Sequence, residues 1–353
     1  MDALGIVLGL VAGLALFLYG VARLAEGMRV VAGERLRRVL ARATTNRVTG
    51  VLTGTVATAV LDSSSVTIIM VIALVDAGAL TFVQSLGVIL GANIGTTISS
   101  QLIALDIARY APLALAVGLL VGVLGHRRGS TRTQHVGAAL FGLGLVFFGL
   151  AQMGAAVEPL KASGRFGAWM AGLERPLVGL AAGAVTTLVI QSSSATLGIA
   201  ITLASQGLLS LPAGVAVMLG AEIGTCADTL LATLGRSREA LRAGVFHLTF
   251  NVVTAAVGLA LVGPLATLAR ALGGDAARQI ANAHVAFNVL GVLAALAVLG
   301  PAARVLERLL PVLPVLPVLP ALPESAGRAG RGSAPTIDPH AADPEVVAAA
   351  TQG

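Results

Sequence analysis

Long apolar stretches alternate with short polar, arginine-bearing ones along this chain. The apolar segments run over about 3–25, 48–75, 81–104, 110–125, 136–156, 176–205, 212–234, 241–263 and 280–300. Several reach the roughly twenty residues that a helix needs to cross a hydrocarbon core of about 30 Å. The pattern therefore predicts an all-α polytopic membrane protein. Two segments, 48–75 and 176–205, exceed one crossing, and each carries three consecutive serines: "DSSSVT" at 62–67 and "QSSSAT" at 191–196. A helical hairpin that enters and leaves on the same side, with the serines at its tip, accounts for both the length and the polarity. A full crossing is the alternative. After Pro301 the apolar pattern stops. Residues 311–323 read "PVLPVLPVLPALP", which predicts an extended polyproline-type spacer. Residues 324–353 are rich in Gly, Ala, Ser and charge, a composition expected to stay disordered. The expected division is 1–133, 134–300 and a tail of 301–353.

Internal repetition sharpens this picture. At an offset of 129 the chain matches itself without a gap. "GLALFLYGVA" at 13–22 lies on "GLGLVFFGLA" at 142–151, and "GANIGT" at 91–96 lies on "GAEIGT" at 220–225. Between 62 and 96, 15 of 35 positions are identical to their counterparts. Chance likeness of two Leu/Ala/Val-rich helices scatters its matches and does not preserve Ser, Thr and Gly in register. The chain is therefore duplicated over at least 13–96 and 142–225. If 48–75 is a hairpin, three crossings separate equivalent points and the two repeats are inverted. A smaller echo, H-x-x-F-N, occurs at His247–Asn251 and His284–Asn288.

Composition agrees. The chain is 56% hydrophobic and only 11% charged, with mean hydropathy +0.91, against about 25% charged in soluble domains. Aromatics, at 3%, leave a weak interfacial belt. The net charge of +6 would suggest nucleic acid in a soluble protein. Here the arginines fall between apolar segments, so they report topology and no nucleic-acid partner is expected. With hairpins and an outside N-terminus, 29–47, 126–135, 235–242 and the tail hold 16 Lys/Arg, against 6 on the other side. That obeys the positive-inside rule and places the C-terminus in the cytoplasm, with the chain in the plasma membrane. Full crossings satisfy the rule too, so charge orients the chain without choosing the hairpin. Asp2 and the lack of a basic n-region argue against the first stretch being a signal peptide. The single cysteine, Cys226, excludes an internal disulfide.

The polar positions suggest chemistry. Irregular backbone survives in a membrane only where it lines a cavity or is buried in protein. The Gly-Ala-Asn-Ile-Gly-Thr-Thr run at 91–97 is a poor helix interior, so each repeat is expected to carry a broken transmembrane helix beside its hairpin. Helix N-termini attract anions, and free carbonyls with hydroxyls coordinate sodium. Serines and threonines also join helices by simple packing, but two registered copies, each followed by a Gly-flanked motif, point to a central transport site. His247 and His284 are candidate proton carriers, or packing residues tied to Asn251 and Asn288.

The doubled serine motif with "GANIGTT" and "GAEIGT" resembles the type II sodium/phosphate cotransporter family, bacterial members included, over about residues 5–300. The resemblance implies two inverted repeats with re-entrant hairpins, and sodium-coupled symport of inorganic phosphate. It implies substrate contacts at Ser63, Ser64, Ser65, Gln191, Ser192, Ser193 and Ser194, with Asn93 and Thr97 from the second motif. The corresponding cation set is Asp62, Thr67, Thr96, Thr196, Glu222 and Thr225. Sodium ions are the coupling ions, and no cofactor is implied. Asp62 stands where the family has Gln, and Glu222 where it has Asn. A carboxylate within a membrane is costly and functional by default. Asp228 is also intramembrane; Asp62 and Glu222 either strengthen cation binding or carry protons, or they pair with a nearby amide or arginine away from substrate. The departures leave room for another small anion, for phosphate export and for proton coupling. An intramembrane serine hydrolase and a passive anion channel are weaker readings, and any drive must come from an ion gradient or another subunit. The G-x-S-x-G elbow and the G-x-x-x-x-G-K-S/T loop are missing, so no enzyme activity is expected.

Overall fold

The computed structural model describes residues 3–42, 46–105 and 110–311. The polyproline spacer and the terminal tail expected from the sequence lie outside the described residues. Every regular element among the described residues is helical. Six helices are long and apolar enough to cross a membrane, or seven if the pair 166–172 and 176–190, bent by 100°, forms one span. The protein is a multi-span membrane protein.

The first repeat opens with α1 (Ala3–Arg42), which passes through the segment 29–42 that charge counting treats as loop. The segment 48–75 is two helices, α2 (Arg47–Leu61) and α3 (Ser64–Asp76). At 15 and 13 residues they reach about 22 and 20 Å at 1.5 Å per residue, short of a 30 Å core. The chain turns back between them. Thr58 Oγ1 donates to Thr67 Oγ1 at 2.9 Å, although nine residues of continuous helix would separate them by about 13 Å. α4 (Phe82–Ile103) then packs on α2 in parallel register. Gly87 meets Arg47 and Gly50, Gly91 meets Val51 and Thr55, and Gly95 meets Thr55 and Thr58. α2 and α4 run parallel here because α3 carries the chain back between them.

α5 (Ala111–Arg127) and α6 (Thr131–Val157) complete this half and begin the next. A 3-10 turn (Glu158–Ala162) and α7 (Gly164–Gly172) lead into the second hairpin, α8 (Pro176–Ile190) and α9 (Ser193–Ser205). α10 (Leu211–Gly224) and α11 (Cys226–Leu231) follow, then α12 (Arg238–Ala260), α13 (Val262–Ala271) and α14 (Ala276–Leu309). α14 continues through Pro301, eight residues beyond the boundary expected at that proline.

The duplication is visible in the packing. Gly54 and Gly183, 129 apart, abut the Val88 and Val217 carbonyls. Gly91 and Gly220 abut those of Val51 and Leu180. α1 and α6, equivalent by the same offset, run antiparallel, with Gly13 against Gly149, Gly20 against Gly142 and Gly27 against Ala139.

The expected helix break at 91–97 is not present. α4 is continuous through Gly91, Asn93, Gly95 and Thr97, and only the second copy is interrupted, at Thr225 between α10 and α11. The glycines serve close approach instead. A Cβ at Gly91 would overlap the Val51 carbonyl oxygen, so the small residue is needed for helix contact rather than for unwinding.

Candidate functional site

Each hairpin tip is built the same way. The C-cap of α2 is Asp62 at φ 51° and that of α8 is Gln191 at φ 57°, the only non-glycine residues with positive φ among those described. A left-handed residue ends the first arm without a glycine, at a conformational cost of about 1–2 kcal/mol. Strain of this kind concentrates at functional sites. The next residue caps the second arm: the Ser63 hydroxyl accepts from Val66 N at 3.2 Å, and the Ser192 hydroxyl from Ala195 N at 3.2 Å. The Ser63 and Ser192 carbonyls accept from Thr67 N and Thr196 N. The amides of Ser64 and Ser65, and of Ser193 and Ser194, are first-turn donors with no partner inside their helices.

The two tips meet. A cavity of about 320 Å³ is lined by Asp62, Ser63, Ser64 and Ser65 from one hairpin and by Ile190, Gln191, Ser192, Ser193 and Ser194 from the other. Thr96 of α4 and one face of α1 complete the wall. The site is thus two helix N-termini converging on one polar chamber, each with outward N–H groups and a positive dipole end. Such a chamber suits a tetrahedral oxyanion, whose oxygens accept hydrogen bonds in several directions at once.

The sequence-derived candidates divide on this geometry. All seven serine-motif residues line the cavity, as do Asp62 and Thr96. Thr67 and Thr196 do not; they sit behind the tips and brace them through Thr58 and Thr187. Asn93 and Thr97 are buried in α4 and bond to their own helix carbonyls, Ile89 and Ile94. Thr225 bonds to Ala221 O at 3.1 Å. Glu222 lies outside the cavity wall and accepts from His284 Nε2 at 2.7 Å and Asn288 Nδ2 at 3.4 Å. Asp62 accepts from Ser99, and the Asp228 carboxylate takes a hydrogen bond from Ser65. None of the three carboxylates pairs with an arginine among the described residues.

The H-x-x-F-N echo is a matched pair of anchors. His284 Nδ1 meets Ser100 Oγ at 2.8 Å, and His247 Nδ1 meets Thr229 Oγ1 at 2.9 Å. Ser100 and Thr229 are themselves 129 apart, so α14 anchors one repeat and α12 the other. Asn251 Nδ2 donates to His247 O of its own helix, while Asn288 also reaches across to Glu222.

Sequence reasoning missed the α1 wall: Leu18, Val21, Ala22, Ala25 and Arg29. Their i, i+3, i+4, i+7, i+11 spacing marks one helix face, a signal hidden once 29–47 is treated as loop.

Comparison with known proteins follows the division into two halves. The Na+/Pi-cotransporter family model matches twice, over residues 16–155 and 160–300, once per repeat. The chain is 29% identical over 308 residues to protein YqeW of Bacillus subtilis, covering 84% of this chain and 95% of that protein. It is 26% identical over 304 residues to the putative inorganic phosphate export protein YjbB of Salmonella typhimurium, covering 86% of this chain and 55% of that protein. The chain thus spans little more than half the length of the export protein. A shorter match, 31% over 97 residues, links 26% of the chain to 14% of human sodium-dependent phosphate transport protein 2B. No solved structure matches. The two family matches fall on the two halves that carry the hairpins, and the chain belongs to the Na+/Pi-cotransporter family.

Proposed function

We propose that this protein is a secondary transporter of inorganic phosphate, coupled to sodium, whose substrate sits between the two hairpin tips. The observation that carries the reading is the shared cavity: Ser63–Ser65 and Ser192–Ser194 line one chamber at two capped helix N-termini. First-turn N–H groups and serine hydroxyls from both sides supply donors for phosphate oxygens. Sodium, as the coupling ion, offsets part of the phosphate charge that neutral donors leave unbalanced. Asp62, on the cavity wall, is the first candidate cation ligand, with Thr96 beside it. Thr67 and Thr196 act from behind the tips by bracing them, and Glu222, Thr225, Asn93 and Thr97 lie off the cavity wall, so any part they take in cation or substrate binding is indirect.

The repeats are read as inverted across the plasma membrane, N-terminus outside and C-terminus cytoplasmic. The antiparallel packing of equivalent helices α1 and α6 supports the inversion. Alternating access then follows from rocking one repeat against the other around the tips. The direction of net flux is a second reading with its own support, since relatives carry the name of phosphate export proteins.

The test is labelled phosphate flux in sealed proteoliposomes under inward, outward and absent sodium gradients. Saturable flux that follows the sodium gradient and falls in Ser193→Ala supports sodium-coupled transport. Flux indifferent to sodium but driven by a pH gradient replaces sodium with protons. No phosphate flux, with folded protein, removes phosphate as the substrate.

A further inference from the structure

We infer that Arg29 is the substrate-recognition cation of the cavity: its guanidinium pairs with the phosphate held between the serine tips and sets the preference for doubly charged tetrahedral oxyanions. This rests on the phosphate reading above and names a residue for it outside the serine motifs.

Three observations meet at this side chain. First, Arg29 is the one basic residue lining the cavity among the described residues, and Asp62 the one carboxylate. Second, Arg29 has no hydrogen bond or ion pair among the described residues. Arg23, earlier on the same helix, is committed to Glu26 at 2.9 Å and to the Tyr19 hydroxyl at 2.8 Å. The nearby carboxylate, Glu26, is therefore taken, and Asp62 is engaged by Ser99. Third, Arg29 continues the helix face that forms the cavity wall. From Leu18 to Arg29 that face climbs about 16 Å at 1.5 Å per residue, from the apolar section of α1 toward the end of the helix that carries its other arginines.

The chemistry requires such a group. Serine hydroxyls and backbone amides are neutral donors, and two helix ends contribute only about half a charge each. A phosphate dianion leaving water needs a full countercharge nearby. Guanidinium presents planar paired donors that match two phosphate oxygens at once, which an ammonium does not. An arginine placed merely to mark the cytoplasmic side has no need to face the chamber, and replacing it with any other cation at that depth would be neutral for substrate affinity.

The experiment is phosphate concentration dependence of flux in proteoliposomes for wild type, Arg29→Lys and Arg29→Gln, with sodium dependence measured in parallel. In Arg29→Gln the half-saturating phosphate concentration is expected to rise roughly 10- to 100-fold, the loss of one charge-assisted pair. Arg29→Lys is expected to recover part of it, with the sodium requirement and maximal rate of both variants close to wild type. A second measurement needs no variant to fold. Phenylglyoxal modification at Arg29 in the wild-type protein, followed by peptide mass spectrometry, should be slowed by phosphate. Wild type that transports phosphate while Arg29→Gln keeps its half-saturation, or while phosphate leaves Arg29 labelling unchanged, overturns this assignment alone. Wild type with no phosphate flux overturns the transport reading and this assignment with it.

Discussion

The Thr58 hydroxyl donates to Thr67 at 2.9 Å, and Thr67 in turn donates to the carbonyl of Ser63 at 3.1 Å. Thr187, Thr196 and Ser192 repeat the relay at 2.7 and 3.2 Å. Each relay ends on the residue whose hydroxyl caps the second arm, so it fixes where the helix N-terminus points. The roles within a relay are unequal. Thr67→Val strands a fully buried Thr58 hydroxyl, a loss of about 1–3 kcal/mol. Thr58→Val removes a donor from an oxygen that keeps its other bond, a loss of about 1 kcal/mol. Thermal unfolding in detergent should rank Thr67→Val below Thr58→Val, and Thr196→Val below Thr187→Val. Equal melting temperatures would mean that the tips are held by packing alone.

Gly91 and Gly220 supply the second prediction. A Cβ at either would overlap a backbone carbonyl of the neighbouring hairpin arm, Val51 O or Leu180 O. Backbone cannot yield as a flexible side chain can. Gly91→Ala and Gly220→Ala should each lose at least the 1–3 kcal/mol typical of overpacking, seen as a collapse of monodisperse protein on size exclusion. Gly122→Ala is the control, because nothing lies within 4 Å of its Cβ direction. If Gly91→Ala elutes and melts like Gly122→Ala, the parallel contact of α2 and α4 is looser than described.

These glycines also mark where sequence reasoning reached its limit. The duplication, the hairpins and the seven serine-motif residues were legible because Ser, Thr and Gly recur at one fixed offset inside apolar segments. The function of "GANIGT" was not. A Gly-rich run reads equally as a helix breaker or as a close-packing face, and only the partner, the backbone of α2, decides between them. Arg29 was hidden because the hydrophobic pattern of α1 ends before the helix does. The bond between Ser100 and His284 joins residues 184 apart, and no local pattern encodes which repeat a histidine will anchor.

Asp76 gives a pH prediction. It stands at the last residue of α3, where the hairpin leaves for the next loop, and accepts from Ser237 N at 2.7 Å and Arg236 at 3.3 Å. Ser237 is the N-cap of α12, so this carboxylate ties the first hairpin to the second repeat. The Ser237 amide, then the Ser237 side chain and Arg236, hold the Asp76 carboxyl below its usual range. A depressed value in the folded protein means that the tie is fully present above the unfolded value, about 3.9, and is lost as pH falls through the folded value. Hydrogen exchange at Ser237 should stay slow from pH 7 down to about 5 once intrinsic rates are divided out, and its protection should drop only below about pH 4. Asp76→Asn should show weak protection throughout, with no acid step. A step that persists in Asp76→Asn would assign the transition to another group.

Glu222 is buried against His284 and Asn288, on helices from different parts of the chain: α10 of the second repeat and α14. His284 continues the chain of contacts to Ser100 on α4 of the first repeat. One carboxylate thus closes a link between the two halves through a third helix. The effect of removing it depends on what is left behind. Glu222→Ala leaves His284 Nε2 buried without its acceptor and takes one of two acceptors from the Asn288 amide, which keeps His284 O, a loss of about 1–3 kcal/mol. Glu222→Gln keeps an acceptor oxygen and should cost much less, and Glu222→Asn restores the residue type of the matching position, Asn93, with a shorter reach. The His284→Ala variant isolates the second partner. If the link works as one unit, the double variant Glu222→Ala/His284→Ala should be less destabilised than the sum of the singles, because each single strands the other's polar atoms. Strict additivity in unfolding free energy would show that Glu222 and His284 are held independently, and the bridge between repeats would then have to come from the packing of α14 on α4.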